Sequence, residues 1–179
     1  MRKICILFLF VSFISSFAQV SNFSLDNSQV QWQKVYETTL TQEEIISLAK
    51  DSGKFSVQNG NNENFSGSIS ELMADYKGAG YSGMSTTFYV QNSTISGKIK
   101  IDLKEDRYRV TVSNIVLTEL YNIGFGSGNN KKVPFEYYVL RNNKSDFTST
   151  FLKRDSKIYD YTFSNLFDFS KYKKTNNDW

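Results

Sequence analysis

The stretch ISGKIKIDLKEDRYRVTVSNIVL, running from Ile95 to Leu117, decides the fold. Ile95, Gly97, Ile99, Ile101 and Leu103 fall on one face of a strand, and Lys98, Lys100 and Asp102 on the other, because successive strand side chains point to opposite faces. Lys104-Glu105-Asp106-Arg107 is a charged turn. Tyr108, Val110 and Val112 then return on a second alternating strand. Two such strands predict an antiparallel hairpin with one wet face and one apolar face that needs a cover.

Upstream, Val30, Trp32, Lys34 and Tyr36 share one face of a strand, with Val35 on the other. Thr41 and Glu44 then make a T-x-x-E capping box, in which each side chain satisfies a free N–H of the first helical turn. Ile45, Ile46, Leu48 and Ala49 supply the buried side of that helix, and Gly53 stops it by tolerating the left-handed turn. Lys54 to Gln58 reads as a short strand, and Asn59 to Asn64 as a turn. Phe65 to Leu72 reads as a strand, although Ser-Ile-Ser-Glu-Leu-Met (68–73) could equally start a helix. Lys77 to Gly83 is a glycine-bearing loop, and the alternation of Met84, Thr86, Phe88 and Val90 predicts a strand over Met84 to Gln91.

Downstream, Tyr121 to Lys132 is a loop rich in Gly and Asn. Val133 to Leu140 is predicted as a strand, with Pro134 at an edge or a strand start. Phe147, Phe151, Ile158, Tyr161, Leu166 and Phe169 fit a helical stripe, broken near Asp155. The expected architecture is α+β. A single domain over residues 29–170 holds an antiparallel sheet, packed on one face by the Thr41 helix and a C-terminal helix. Residues 19–28 are read as a flexible mature N-terminus and 171–179 as a polar basic tail.

The first eighteen residues set the compartment. Arg2 and Lys3 precede an apolar run from Ile4 to Val11, which continues through Phe13, Ile14 and Phe17 to Ala18. This is the pattern of a secretory signal peptide over residues 1–18, cut after Ala18 with Ser16 at the −3 position. A membrane anchor would need ~20 apolar residues, and Ser12, Ser15 and Ser16 interrupt this shorter run. A lipoprotein would need its cysteine at the cut, whereas Cys5 lies at the front of the run. The product is therefore expected in the periplasm, on the outer cell surface or outside the cell. No transmembrane segment is read in the mature chain.

Cleavage removes the only cysteine, and histidine is absent throughout. The mature chain thus carries no disulfide, thiol nucleophile or thiolate metal site. The formal charge falls from +3 to +1 as Arg2 and Lys3 leave, which gives no broad pull toward nucleic acid. The 28 aromatics, less four signal-peptide phenylalanines, leave 24, enough for an aromatic core.

The candidate motifs resolve to structure. Gly80-Tyr81-Ser82-Gly83-Met84 fails as a nucleophile elbow because Met84 stands where G-x-S-x-G needs glycine, and no histidine exists to take the proton. Gly124-Phe125-Gly126-Ser127-Gly128 misses a dinucleotide fingerprint, whose third glycine would fall at Asn129. Asp102, Glu105 and Asp106 lack EF-hand spacing and are mixed with Lys104 and Arg107. Glu43 and Glu44 suit a helix N-terminus, while Glu37, Glu71, Asp75, Glu119 and Glu136 cannot be paired from sequence. The runs Arg107-Tyr108-Arg109 and Lys171-Tyr172-Lys173-Lys174 read as a strand face and a tail, not as a nucleic-acid site. No catalytic, cofactor-binding or metal residue is assigned, and no cofactor is expected.

The order of strand, capped helix, short strand, FSGSI (Phe65 to Ile69), a Ser- and Gly-bearing linker and the Ile95–Leu117 hairpin resembles a family of uncharacterised exported Bacteroidota proteins. The resemblance covers roughly Gln29 to Leu120, and the Phe17-Ala18-Gln19 junction is similar to export signals of that phylum. It implies a fold like that of the TATA-box-binding protein, with a curved antiparallel sheet and packed helices. It brings no activity and no site residues, and such a shape does not imply DNA binding. The combined expectation is an exported, non-catalytic cell-envelope protein that binds a ligand or partner, an envelope protein or a glycan. The alternatives are a carboxylate-based glycoside hydrolase, marked by two acids ~5–9.5 Å apart across a cleft, and a pocket for an apolar ligand between sheet and helices.

Overall fold

The computed structural model describes residues 22–60, 63–120, 130–142 and 144–173, with backbone alone at 57–60. The segment read as a signal peptide and the residues Gly124 to Gly128 lie outside the described residues. The predicted hairpin forms as β5 (Ser93–Lys104) and β6 (Arg107–Glu119), closed by Glu105-Asp106 and registered as Lys104 with Arg107, Leu103 with Tyr108 and Ile99 with Val112. Around it lie β1 (Phe23–Asp26), β2 (Gln29–Glu37), β3 (Ser56–Gly60), β4 (Asn64–Met73) and β7 (Lys132–Pro134). All pair antiparallel in one seven-stranded sheet of order β1-β2-β6-β5-β4-β3, with β7 on β6 beyond the end of β2.

Two bulges fall at the same level of this sheet. Between Ile69 and Leu72, β4 carries Ser70 and Glu71 opposite Ser96 alone. Between Ser113 and Val116, β6 carries Asn114 and Ile115 opposite Gly97 alone. Glu71 and Asn114 take positive φ, 56° and 49°. Each bulge bends its strand and adds twist, so the sheet curves along a line through Glu71, Gly97 and Asn114. The surplus residue in β6 also returns Ile115 and Leu117 to the buried face occupied by Val110 and Val112.

One face of the sheet is covered. Helix α1 (Gln42–Asp51) starts with the expected box: Thr41 Oγ1 accepts the Glu44 N–H at 3.2 Å, and Glu44 accepts the Thr41 N–H at 2.8 Å. Ile45 and Ala49 are its buried side, and Gly53 follows it at φ +63°. The second cover is a π-helical turn, Phe151–Asp155, continuing into an α-helix, Ser156–Leu166, and a 3-10 turn, Phe169–Tyr172. The irregularity expected near Asp155 is this π turn. Trp32, fully buried, lies 5.4 Å from Phe163 and 5.9 Å from Phe167, ring centre to ring centre. Phe55 adds to Phe167 and Phe169, and Tyr108 to Phe169. Aromatic pairs at such spacings add about 0.5–1.5 kcal/mol each beyond area burial. Much of the aromatic load is spent here.

Several expectations need correction. Order begins well before Gln29: Phe23, fully buried, opens β1, and Asn27-Ser28 turns it into β2 with both φ positive, as a two-residue type I′ hairpin requires. Met84 to Gln91 is not a strand. Gly83–Ser85 is a 3-10 turn and Phe88–Gln91 is the single turn α2. Ser82 and Ser85 cap each other's backbone, and the Gln91 amide donates to the carbonyls of Gly83 and Thr86 at 2.8 and 2.9 Å. These local bonds satisfy the backbone within turns instead of in a ladder. Of the segment Val133 to Leu140, Val133 and Pro134 end β7 and Leu140 makes an isolated antiparallel bridge to Phe147. Between them the chain folds into α3 (Glu136–Val139), so Pro134 closes its strand. The helix Ser156–Leu166, here α4, leaves Tyr161 exposed at 38%. At the start of the supposed tail, Tyr172 is half-buried and its hydroxyl donates to Leu166 O at 2.8 Å.

Candidate functional site: the open face of the sheet

Among the described residues, no helix covers the second face of the sheet. Residues that pair directly across antiparallel strands share a face, so the register orders the outward side chains into rows. Lys104 pairs with Arg107, which pairs with Glu37. Asn64, Asp102, Arg109 and Val35 form the next row, and Ser66, Lys100, Thr111 and Gln33 the one after. Ser56, Ser68, Lys98 and Ser113 follow. Beyond the bulges, Met73, Thr94, Thr118 and Lys132 form a row of their own.

The half of this face nearer the Glu105-Asp106 turn therefore carries Lys98, Lys100, Lys104, Arg107 and Arg109 against Asp102 and Glu37. Asp102 stands between two of the cations, with Lys100 Nζ at 2.7 Å and Arg109 Nη2 at 2.8 Å. Partial desolvation works to raise its carboxyl, but the hydrogen bonds and charges of Lys100 and Arg109 outweigh this and hold it below the usual carboxylate range. Gln33 Nε2 donates to Thr111 Oγ1 at 3.0 Å, and the Ser56 and Ser68 hydroxyls meet at 2.8 Å. Val35, 52% exposed, is the large apolar side chain here.

Two depressions indent the face, one on each side of the bend. The first, about 320 Å³, lies among Val35, Asp102, Lys104, Arg107, Tyr108 and Arg109, with Tyr108 itself only 2% exposed. The second, about 680 Å³, is lined by Glu71, Met73, Thr94, Ser96, Thr118 and Lys132, among others. Both are open grooves floored by polar side chains.

Of the acids that sequence could not pair, the structure brings Glu71 and Asp75 to one groove and separates the others. Glu136 accepts the Val30 N–H at 2.8 Å, joining α3 to β2. Glu119 is buried and accepts the Tyr138 hydroxyl. Glu71 and Asp75 line a groove of about 410 Å³ beside α4. Glu37 and Asp106 line one of about 500 Å³ with Lys173. Glu44 is held below its ordinary value by the Thr41 N–H and then by Lys173. Ser82 of the elbow-like sequence is a turn cap. Among the described residues, no three of Asp, Glu, His and Cys group as metal ligands do.

Sequence reasoning missed one buried polar centre. Asp155, fully buried in the π turn, accepts from Tyr89 Oη at 2.7 Å, Thr87 Oγ1 at 3.0 Å and Arg154 Nε at 2.8 Å. Arg154 Nη1 also donates to Ser85 O at 2.6 Å, and the Tyr89 ring stacks on Tyr138 at 4.5 Å. The carboxylate's donors come from its own helix and from a segment more than sixty residues earlier. Hydrophobic periodicity alone gives no hint of such a partnership.

Solved structures share this fold. A TBP-like protein from Parabacteroides distasonis matches with a TM-score of 0.50 and 19% identity, over 83% of this chain and 95% of that one. A DUF4468 family protein from Bacteroides ovatus matches with a TM-score of 0.52 and 10% identity, over 90% of this chain and 98% of that one. At these identities the likeness is one of fold. No family model matches the sequence, and neither does any curated protein.

Proposed function

We propose that this chain is an exported, non-catalytic cell-envelope protein whose recognition surface is the uncovered face of its sheet. Export is supported by the residues ahead of Gln19, with their positive start, short apolar run and small residues at the cut. One observation carries the recognition reading. A curved, polar, solvent-facing sheet surface with two grooves is left without a helical cover, while the opposite face is packed with aromatic rings. A binding role fits the acids better than a hydrolytic one. Asp102 is neutralised by two cations, and Glu119 and Asp155 are buried under hydroxyl donors.

Two measurements test this reading. N-terminal sequencing of protein recovered from the cell envelope should begin at Gln19; an intact Met1 on cytoplasmic protein removes export. The purified mature chain should co-sediment with isolated envelopes, and Val35→Trp, which fills the smaller groove, should reduce that binding. Lys157→Trp, on the helical side, should not. Equal loss in both variants, or in neither, assigns recognition to another surface.

A further inference from the structure

We propose that the ligand of the basic half of the open face is an acidic polysaccharide, a glycan chain with carboxylates spaced along it. This rests on the open-face reading and adds the chemistry of the ligand. Lys98, Lys100, Lys104, Arg107 and Arg109 stand against Asp102 and Glu37 on this half of one face, and the turn that closes it adds Glu105 and Asp106, with Asp106 3.9 Å from Arg107. The mature chain carries +1, and these five cations and four acids hold all of it. The positive charge is local, and a local field of one sign draws ligands of the other.

The spacing suits a repeating anion. Outward positions recur about every 6.7 Å along a strand and about 4.8 Å across to its neighbour. Lys98, Lys100 and Lys104 thus form a line along β5, with Arg107 and Arg109 beside it on β6. Asp102 takes Nε and Nη2 of Arg109, which fixes the guanidinium and leaves Nη1 unclaimed among the described residues. Lys98 and Lys104 have no acidic partner among the described residues. Ser68, Ser113, Thr111 and Gln33 stand next to these cations and offer the donors and acceptors that sugar hydroxyls need.

The same residues disfavour the other large anions. Single-stranded nucleic acid is gripped by exposed aromatic platforms, and the aromatic residue lining this half of the face, Tyr108, is buried with its ring against Phe169. Membrane surfaces are bound by a broad apolar face set under the cations, whereas Val35 stands alone here. Protein interfaces are enriched in aromatics and depleted in lysine, the reverse of what this surface carries.

The test is titration of the purified mature chain with polygalacturonate oligomers, with their methyl esters, with DNA and with phosphatidylglycerol vesicles. The acid form should bind and the ester should not, and binding should weaken steeply with salt. The triple variant Lys98→Gln, Lys104→Gln and Arg107→Gln should lose about tenfold or more, because each lost cation removes a released counterion. Lys153→Gln with Lys157→Gln, on the exposed side of the covering helix, should bind as the parent does. Lys104→Glu alone, at the hairpin end, repeats the test should the triple variant misfold. Equal binding of acid and ester, tighter binding of DNA or vesicles, or full affinity in the triple variant overturns the proposal. If envelope binding responds to Val35→Trp while polygalacturonate does not bind, the ligand class is wrong and the surface stands. If envelope binding ignores Val35→Trp, the surface itself is wrong.

Discussion

Tyr89 donates its phenolic hydroxyl to the buried carboxylate of Asp155 at 2.7 Å, linking the β4–β5 connection to the C-terminal helix. Thr87 and Arg154 complete the shell. The carboxylate and the two hydroxyls that meet it are largely withdrawn from water, while Arg154 stays 29% exposed and also donates to Ser85 O. Removing the acceptor therefore costs more than its bonds are worth.

Asp155→Ala should destabilise the fold by about 3–5 kcal/mol, since it leaves Arg154 and two hydroxyls facing a void. Tyr89→Phe, which loses one donor and keeps the ring on Tyr138, should cost about 1–3 kcal/mol. Urea unfolding checks both. A wild-type midpoint for Asp155→Ala would show that the cluster contributes nothing to stability.

Asp160 plays a similar part at the other end of the sheet. Its Oδ1 accepts from Trp32 Nε1 at 2.7 Å and from Asn22 Nδ2 at 2.8 Å. Asp160→Ala strands a buried indole N–H and should cost about 1–3 kcal/mol. Hydrogen exchange should quicken first in β1, the edge strand that follows Asn22. Unchanged exchange there would separate Asp160 from the anchoring of that strand.

Gly67 is required by a close approach. A Cβ at this position would stand 2.0 Å from Ser56 O on the neighbouring strand, a backbone atom that cannot swing aside. Gly67→Ala should destabilise by about 1–3 kcal/mol as β3 is pushed from β4. Thermal unfolding measures the loss, and a variant as stable as the parent would mean β3 can shift freely.

Alkaline pH should unfold the protein more readily than its acid content suggests. Burial, the largest cause, pushes the phenols of Tyr36, Tyr89, Tyr108 and Tyr159 well above the ordinary value of 10.0. A raised folded-state pKa gives stability that is fully present below the unfolded value and is lost as pH rises toward the folded one. Stability should therefore be level up to about pH 10 and fall beyond it, by at most about 1.4 kcal/mol per pH unit for each such tyrosine. Tyrosinate absorbance at 295 nm should rise together with unfolding; ionisation of these rings in the folded protein would contradict the burial argument.

The parts of the fold legible in sequence were those decided locally. The Thr41–Glu44 box, the Gly53 stop and the two-residue period of Ile95 to Leu103 each depend on neighbours a few positions away, and each formed as expected. Met84 to Gln91 shows the limit of the method. Its alternation is real, but Ser82, Ser85 and Gln91 close the backbone into turns through bonds that a two-residue period does not register. Phe23 and Leu25 carried the opposite signal, an alternating pair before Asn27-Ser28, which a polar terminus concealed. The basic surface was half visible: alternation set Lys98 and Lys100 outward, but only the register sets Arg107 and Arg109 beside them.

The π turn at Phe151–Asp155 makes the length of the C-terminal helix matter more than its spelling. The Ser156 N–H reaches Phe151 O five residues back, so this turn holds one residue more than a regular helix. Each residue is worth about 100° of rotation. Phe151 and Asp155 in this turn and Ile158, Thr162 and Leu166 after it are all buried. Exposed Lys153 can be exchanged at little cost. Cut it out, and Ser156 falls four residues after Phe151, the spacing of an ordinary α-turn, so the wide turn is lost while the helix beyond it keeps its place.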